Sequence, residues 1–150
     1  MDIGTPFSRG RGGPGGWQIL HEPELHLGED VVVPDLAGWR RERMPEVPVV
    51  PYFTLPPDWV CEVLSPSTAT HDRFRKMPVY ARAGVTWLWF IDPGAQSLEG
   101  FHLGARKLWE LEQMFSSDDA MVRAAPFEAV ELELSALWTS RPHGSAPESP

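Results

Sequence analysis

Apolar residues in this chain fall in short runs that alternate more often than they spiral, and proline, glycine or charge separates one run from the next. WQILHEPELHL at 17–27 reads as a first strand, kinked or bulged at Pro23, because proline has no N–H to give a sheet ladder. Residues 28–30 turn the chain, and VVVPDLAGW at 31–39 returns as a second strand, antiparallel to the first across so short a turn. A two-residue period puts Val31, Val33 and Asp35 on one face, with Pro34 marking a bulge or strand end. After a proline-rich loop at 44–57, DWVCEVLS at 58–65 forms a third strand, closed by Ser65-Pro66. The loop is either a plain connector or one wall of a substrate groove.

Residues 70–84 then change period. Phe74, Met77 and Ala81 recur at three and four, which predicts a helix packing that face on the sheet, with Arg73, Lys76, Tyr80 and Ala83 on a different stripe. Ser67, Thr68 or Thr70 can cap the helix, Pro78 should kink it, and Gly84 is the expected stop. TWLWFID at 86–92 is apolar on both faces, as a covered central strand should be. A right-handed strand–helix–strand crossover makes it parallel to the third strand. SLEGFHL and RKLWELEQMF, split by Gly104-Ala105, predict a hairpin extending the sheet. Residues 120–138 add a last strand or two and a short turn of helix, with VELEL at 130–134 as a half-exposed edge. The fold class is therefore α/β: a mixed sheet of antiparallel meander, crossover helix and parallel strand, extended by a C-terminal hairpin.

The 150 residues suffice for one core. The expected organisation is a flexible glycine-rich lead-in at 1–16, one domain at 17–138, and a disordered tail at 139–150. Seven tryptophans give that domain a large burial payload. No apolar run approaches a membrane span, no secretion signal is evident, and the one cysteine, Cys61, offers no disulfide framework. The expected compartment is the cytoplasm. A net charge of −8 opposes generic nucleic-acid binding, but the basic residues are not evenly spread. Arg40, Arg41 and Arg43 follow the second strand, and Arg73, Arg75, Lys76 and Arg82 lie on the helix.

Two acidic residues sit where apolar ones would be cheaper. Asp35 and Glu62 each lie in an apolar strand, and a buried carboxylate costs several kcal/mol unless paired or holding a metal. Glu22 or Glu24 on the first strand offers a third carboxylate. Lys76 has two readings: a surface ion pair with Asp72 at i,i+4, or a cation whose long stem reaches Glu62. His21 and His26 point to opposite faces of a regular strand and lack a cysteine partner, which disfavours zinc. No phosphate-binding glycine loop or GxSxG elbow occurs.

The ordered series Pro34-Asp35, WVCEVLSPST, DRFRKMPVYARAGV and WLWFIDP resembles the Uma-two family, restriction-endonuclease-like proteins of the PD-(D/E)xK nuclease superfamily. The resemblance runs from about Gly16 to Trp138. It implies a Mg²⁺-dependent endonuclease (Mn²⁺ as an alternative) acting on nucleic acid, DNA first, with Asp35, Glu62 and Lys76 catalytic. Asp35 and Glu62, with Glu22 as a candidate third, would hold the metal. Leu64 stands where the superfamily pattern has lysine, and Lys76 resembles a lysine migrated to the next helix. Arg40, Arg41, Arg73 and Arg75 are the candidate nucleic-acid contacts. The family usually begins with helices ahead of the first strand, which residues 1–16 do not resemble, so a homodimer is expected to cover the sheet. The alternative is a non-catalytic interaction module of the same fold, in which Glu62 and Lys76 form a structural ion pair.

Overall fold

The computed structural model describes residues 16–67 and 69–138, with only the backbone of Ala69. The expected lead-in (all but Gly16), the Thr68 cap and the 139–150 tail lie outside these residues.

Each of the first two apolar runs is split in two. β1 (Trp17–His21) and β4 (Leu36–Arg40) pair antiparallel in the main sheet, while β2 (Leu25–Leu27) and β3 (Asp30–Val32) form a separate two-stranded hairpin. Counting inward from the pairs His21↔Leu36 and Leu25↔Val32, Pro23 and Pro34 fall opposite one another. Two prolines at one level remove both N–H groups that would have carried the ladder through. The link also changes which side chains turn inward. Val32 is buried and Val31 half exposed, so Asp35 reaches the interior three residues after Val32, against the expected sharing of a face by Val31 and Asp35.

The remaining main-sheet strands are β5 (Trp59–Val63), β6 (Trp87–Asp92), β7 (Ser97–Leu103) and β8 (Trp109–Ser116), in the order β1-β4-β5-β6-β7-β8. Only β5 and β6 are parallel, joined by the expected crossover helix α1 (Ala69–Ala83). Gly84, at φ +81°, ends α1 in the left-handed conformation that glycine adopts without Cβ strain. The C-terminal segment forms a small pair, β9 (Met121–Val122) with β10 (Leu132–Glu133), then the short helix α2 (Leu134–Leu137). VELEL thus keeps only Leu132–Glu133 as strand, because Leu134 already opens a helix.

Both faces of the sheet are covered. On one, Leu36, Cys61, Val63, Trp89 and Ile91 pack against Phe127, Leu132, Leu134 and Leu137. There the Trp59, Trp89 and Phe127 rings meet edge to face at 4.8–5.7 Å. On the other, Ala37, Trp39, Val60, Leu88 and Phe90 lie with Val79 and Tyr80 of α1 and with Leu25, Leu27 and Val32. The proline-rich loop is pinned to this side by Phe53, whose N–H and carbonyl bond to Glu24 and His26 of the β2 region.

Of the expected packing face of α1, Ala81 is buried and Met77 packs against the core, but Phe74 does not. Phe74 is 80 % exposed, whereas Lys76 and Tyr80 turn toward the sheet. The reason is electrostatic: the sheet beneath α1 carries Glu62 and Glu99, and Lys76 and Arg73 pair with them. A buried carboxylate without a nearby cation would cost more than an exposed phenyl ring gains by burial.

Candidate active site

The pairing Leu36↔Cys61 sets the site. Continued by one residue, it puts Asp35, just before β4, across from Glu62 on β5, both on the α1 side of the sheet. Their relative exposures are 9 % and 3 %. The Val63 N–H donates to Asp35 Oδ2 at 2.7 Å, and the Glu22 N–H donates to the Asp35 carbonyl at 2.9 Å. The Asp35 main chain thus keeps a bond to Glu22 at the end of β1, beside the break at Pro34, while its side chain takes a backbone donor from β5 on the other side.

Glu62 takes two donors from α1. Lys76 Nζ donates to Oε1 at 3.0 Å and the Tyr80 hydroxyl to Oε2 at 2.6 Å. Its carboxyl is nevertheless pushed up to about 7, chiefly by burial and further by Asp35, although Lys76 and Tyr80 pull it down. The same burial, with the Glu62 charge, raises the Tyr80 phenol, so Tyr80 acts as a neutral O–H donor. Burial and then the two carboxylates raise the Cys61 thiol, which favours its neutral form on β5.

The structure brings Asp35, Glu62 and Lys76 together. Glu22 stands at the Asp35 end with φ 48° and an exposed side chain, beside the pair rather than between its members. Lys76 takes Glu62, with its side chain 14 % exposed, in place of the surface role that i,i+4 spacing allowed. Next to Glu62 in register is Phe90, and next to Phe90 is Glu99. The Arg73 guanidinium lies 4.7 Å from the Phe90 ring centroid and pairs with Glu99, which engages this candidate phosphate contact inside the protein. Arg75 is exposed on α1.

Arg40 and Arg41 are not brought to the site. They lie at the far end of β4 from Asp35, about 17 Å along a five-residue strand. Arg40 covers the Trp17 ring at 4.5 Å, and Arg43 pairs with Asp58 at 2.9 Å. Sequence reasoning missed Tyr80 and Glu99 as partners of the charged stripe. Tyr80 was detectable in principle, lying one turn beyond Lys76 on the same stripe.

A second donor set lies on the opposite sheet face. His102, Glu110 and Glu112 offer ligand atoms within 4.8 Å of one another. The shift in register between β7 and β8 makes Glu112 the extra residue that keeps both glutamates beside His102.

The sequence profile of the Uma2 family, described as "putative restriction endonuclease", matches residues 8–135. No curated protein matches the chain. Among solved structures, "a putative nuclease belonging to DUF820 from Anabaena variabilis ATCC 29413" superposes with a TM-score of 0.67 at 22 % identity, covering 91 % of this chain and 74 % of that one. That likeness is one of fold: six strands in a mostly antiparallel sheet, one parallel pair and a crossover helix. With the profile spanning most of its length, the chain belongs to the Uma2 family of "putative restriction endonucleases".

Proposed function

We propose that the protein is a Mg²⁺-dependent endonuclease hydrolysing phosphodiester bonds of nucleic acid, DNA first, with Asp35, Glu62 and Lys76 as its catalytic residues. The observation that carries this reading is a pair of buried carboxylates opposed across β4 and β5, with one pushed up to about 7. Two like charges in a low-dielectric interior repel. One step along the same face the strands pair Ala37 with Val60, which packs at no such cost.

The donor set fits the cation. Asp35 and Glu62 offer oxygen only, as Mg²⁺ or Mn²⁺ prefers, and Glu22 is the nearby candidate for a third carboxylate. A bound cation would polarise the scissile phosphate and acidify a water. Asp35 is held by the Val63 N–H, and Glu62 by Tyr80 and Lys76. Lys76 offsets the Glu62 charge, and from the same position its ammonium orients a water or steadies charge building on the phosphate. Arg75 is the better placed of the four arginines to meet a neighbouring phosphate, because Arg73 is held by Glu99 and Arg40 and Arg41 are distant. A cytoplasmic homodimer completes the proposal.

One observation favours a second reading. Lys76 bonds Glu62 directly at 3.0 Å, which is the ion pair a non-catalytic interaction module requires. Cleavage assays separate the two. Supercoiled plasmid, single-stranded DNA and RNA are incubated with Mg²⁺ or chelator, using wild type, Asp35→Asn, Glu62→Gln and Lys76→Ala. The nuclease reading expects metal-dependent cleavage that each substitution abolishes. Absence of cleavage by wild type on all three substrates, with no Mg²⁺ effect on its melting, would leave the interaction module.

A further inference from the structure

We infer that Tyr80 is a positioning residue of this site, its phenol fixing the Glu62 carboxylate for cation binding while Lys76 is the contact that exchanges. The inference rests on the nuclease reading above and adds a division of labour between the two donors. They differ in mobility. Tyr80 is fully buried in the cluster with Val79, Leu88 and Phe90, and its ring cannot swing without opening that core. Lys76 approaches on a flexible four-carbon stem and keeps part of its side chain in solvent.

The oxygens are divided accordingly. Oε2 takes the short bond from the phenol at 2.6 Å, and Oε1 takes the ammonium at 3.0 Å. A carboxylate oxygen has two lone pairs, so Oε2 can keep Tyr80 while Glu62 engages a cation. Lys76 and Tyr80 are four residues apart on α1, and one helical face thus brings both donors to one carboxylate. Carboxylates that ligate metals are themselves held by hydrogen bonds, and losing such a partner typically weakens affinity about 10–100-fold. If Tyr80 were only a core side chain, Glu62 would merely satisfy its hydroxyl, and removing that hydroxyl would leave cation affinity unchanged.

Tyr80→Phe keeps the ring and deletes one O–H. The apo full-length protein is titrated calorimetrically with Mn²⁺ as wild type, Tyr80→Phe and Glu62→Gln, and cleavage is followed as a function of Mn²⁺ concentration. Tyr80→Phe is expected to weaken Mn²⁺ binding about 10–100-fold, with kcat at saturating Mn²⁺ returning near the wild-type value. That split separates positioning from general damage to the fold, which excess metal does not repair. Mn²⁺ affinity in Tyr80→Phe within about threefold of wild type overturns the assignment while leaving the metal site standing. Wild-type binding that Glu62→Gln does not alter overturns the metal site itself, and the assignment with it. Should Tyr80→Phe lose its cooperative melt, p-aminophenylalanine in place of Tyr80 puts a weaker donor at the same point. Its Mn²⁺ affinity is expected to fall about three- to tenfold, and an unchanged value overturns the assignment equally.

Discussion

Glu62 is a residue whose protonation and stability are tied together, and the sign can be worked out. Its carboxyl rises from 4.5 to about 7 on folding, so between those values the folded protein holds a proton that the unfolded chain has lost. The Glu62 contribution is therefore fully present below about pH 4.5 and lost as pH rises to about 7, on the order of 3 kcal/mol in all. Metal-free thermal melts should show this decline, and Glu62→Gln should flatten it. At pH 8 the variant should be as stable as wild type or more so, and Mg²⁺ should stabilise wild type alone. If Glu62 is instead the partner of a structural Lys76, the same change strands a buried cation and costs about 3–5 kcal/mol. Asp35 and Glu62 stood out in sequence because charge in an apolar strand is expensive and needs an explanation, whereas Lys76 on the helix had two readings, Asp72 or Glu62. Tyr80 shared the stripe of Lys76, but its role was not legible until the acceptor of its hydroxyl was located.

At the scale of elements, the strand and helix periods carried most of the fold: β5 through β8, the parallel β5–β6 pair and the stop at Gly84. The splitting of the first two runs was harder to read, because it depends on two prolines meeting across a ladder whose register no single strand reveals. The place of Phe74 on α1 was misjudged for a related reason, although Met77 and Ala81 pack as expected. Apolar spacing favoured Phe74, but the helix answers to Glu62 and Glu99 on strands distant in sequence. Phe74→Ala should accordingly change stability by less than about 0.5 kcal/mol, as surface substitutions do. Gly38 on β4 should behave oppositely. A Cβ there would sit 2.7 Å from Ile19 Cδ1 and 3.2 Å from the Trp59 ring, between strands that pack closely. Gly38→Ala should destabilise by about 1–3 kcal/mol in denaturant titration, the usual range for overpacking.

Across the whole molecule, the expected reason for a dimer has shifted. The sheet's faces are covered by α1 with the β2–β3 hairpin and by the β9–α2 segment. Exposed apolar side chains lie instead at Val47, Val49, Val50 and Tyr52 of the proline-rich loop, at Leu108 just before β8, and at Leu111 and Met114 on it. Charge distribution gives a test that also bears on assembly. Among the described residues, Arg43, Arg73, Lys76 and Arg82 pair with carboxylates, Arg40 covers Trp17, and Lys107 and Arg123 donate to carbonyls. Arg41, Arg75 and Arg106 remain, so the described residues present few cations to a phosphate backbone, and Arg75 and Arg41 are well apart among them. About two phosphate contacts on duplex DNA predict an affinity loss of only about tenfold between 50 and 200 mM salt. Fluorescence anisotropy with a labelled duplex, run with Ca²⁺ in place of Mg²⁺ to suppress cleavage, measures that slope. Arg75→Ala should lower it by about one contact, and Arg40→Ala should leave it unchanged. A loss of a thousandfold or more would require a larger basic surface than the described residues of one chain offer. A dimer in light scattering at the same concentration is then the expected outcome, and a monomer with so steep a slope would place the added contacts on cations outside the described residues.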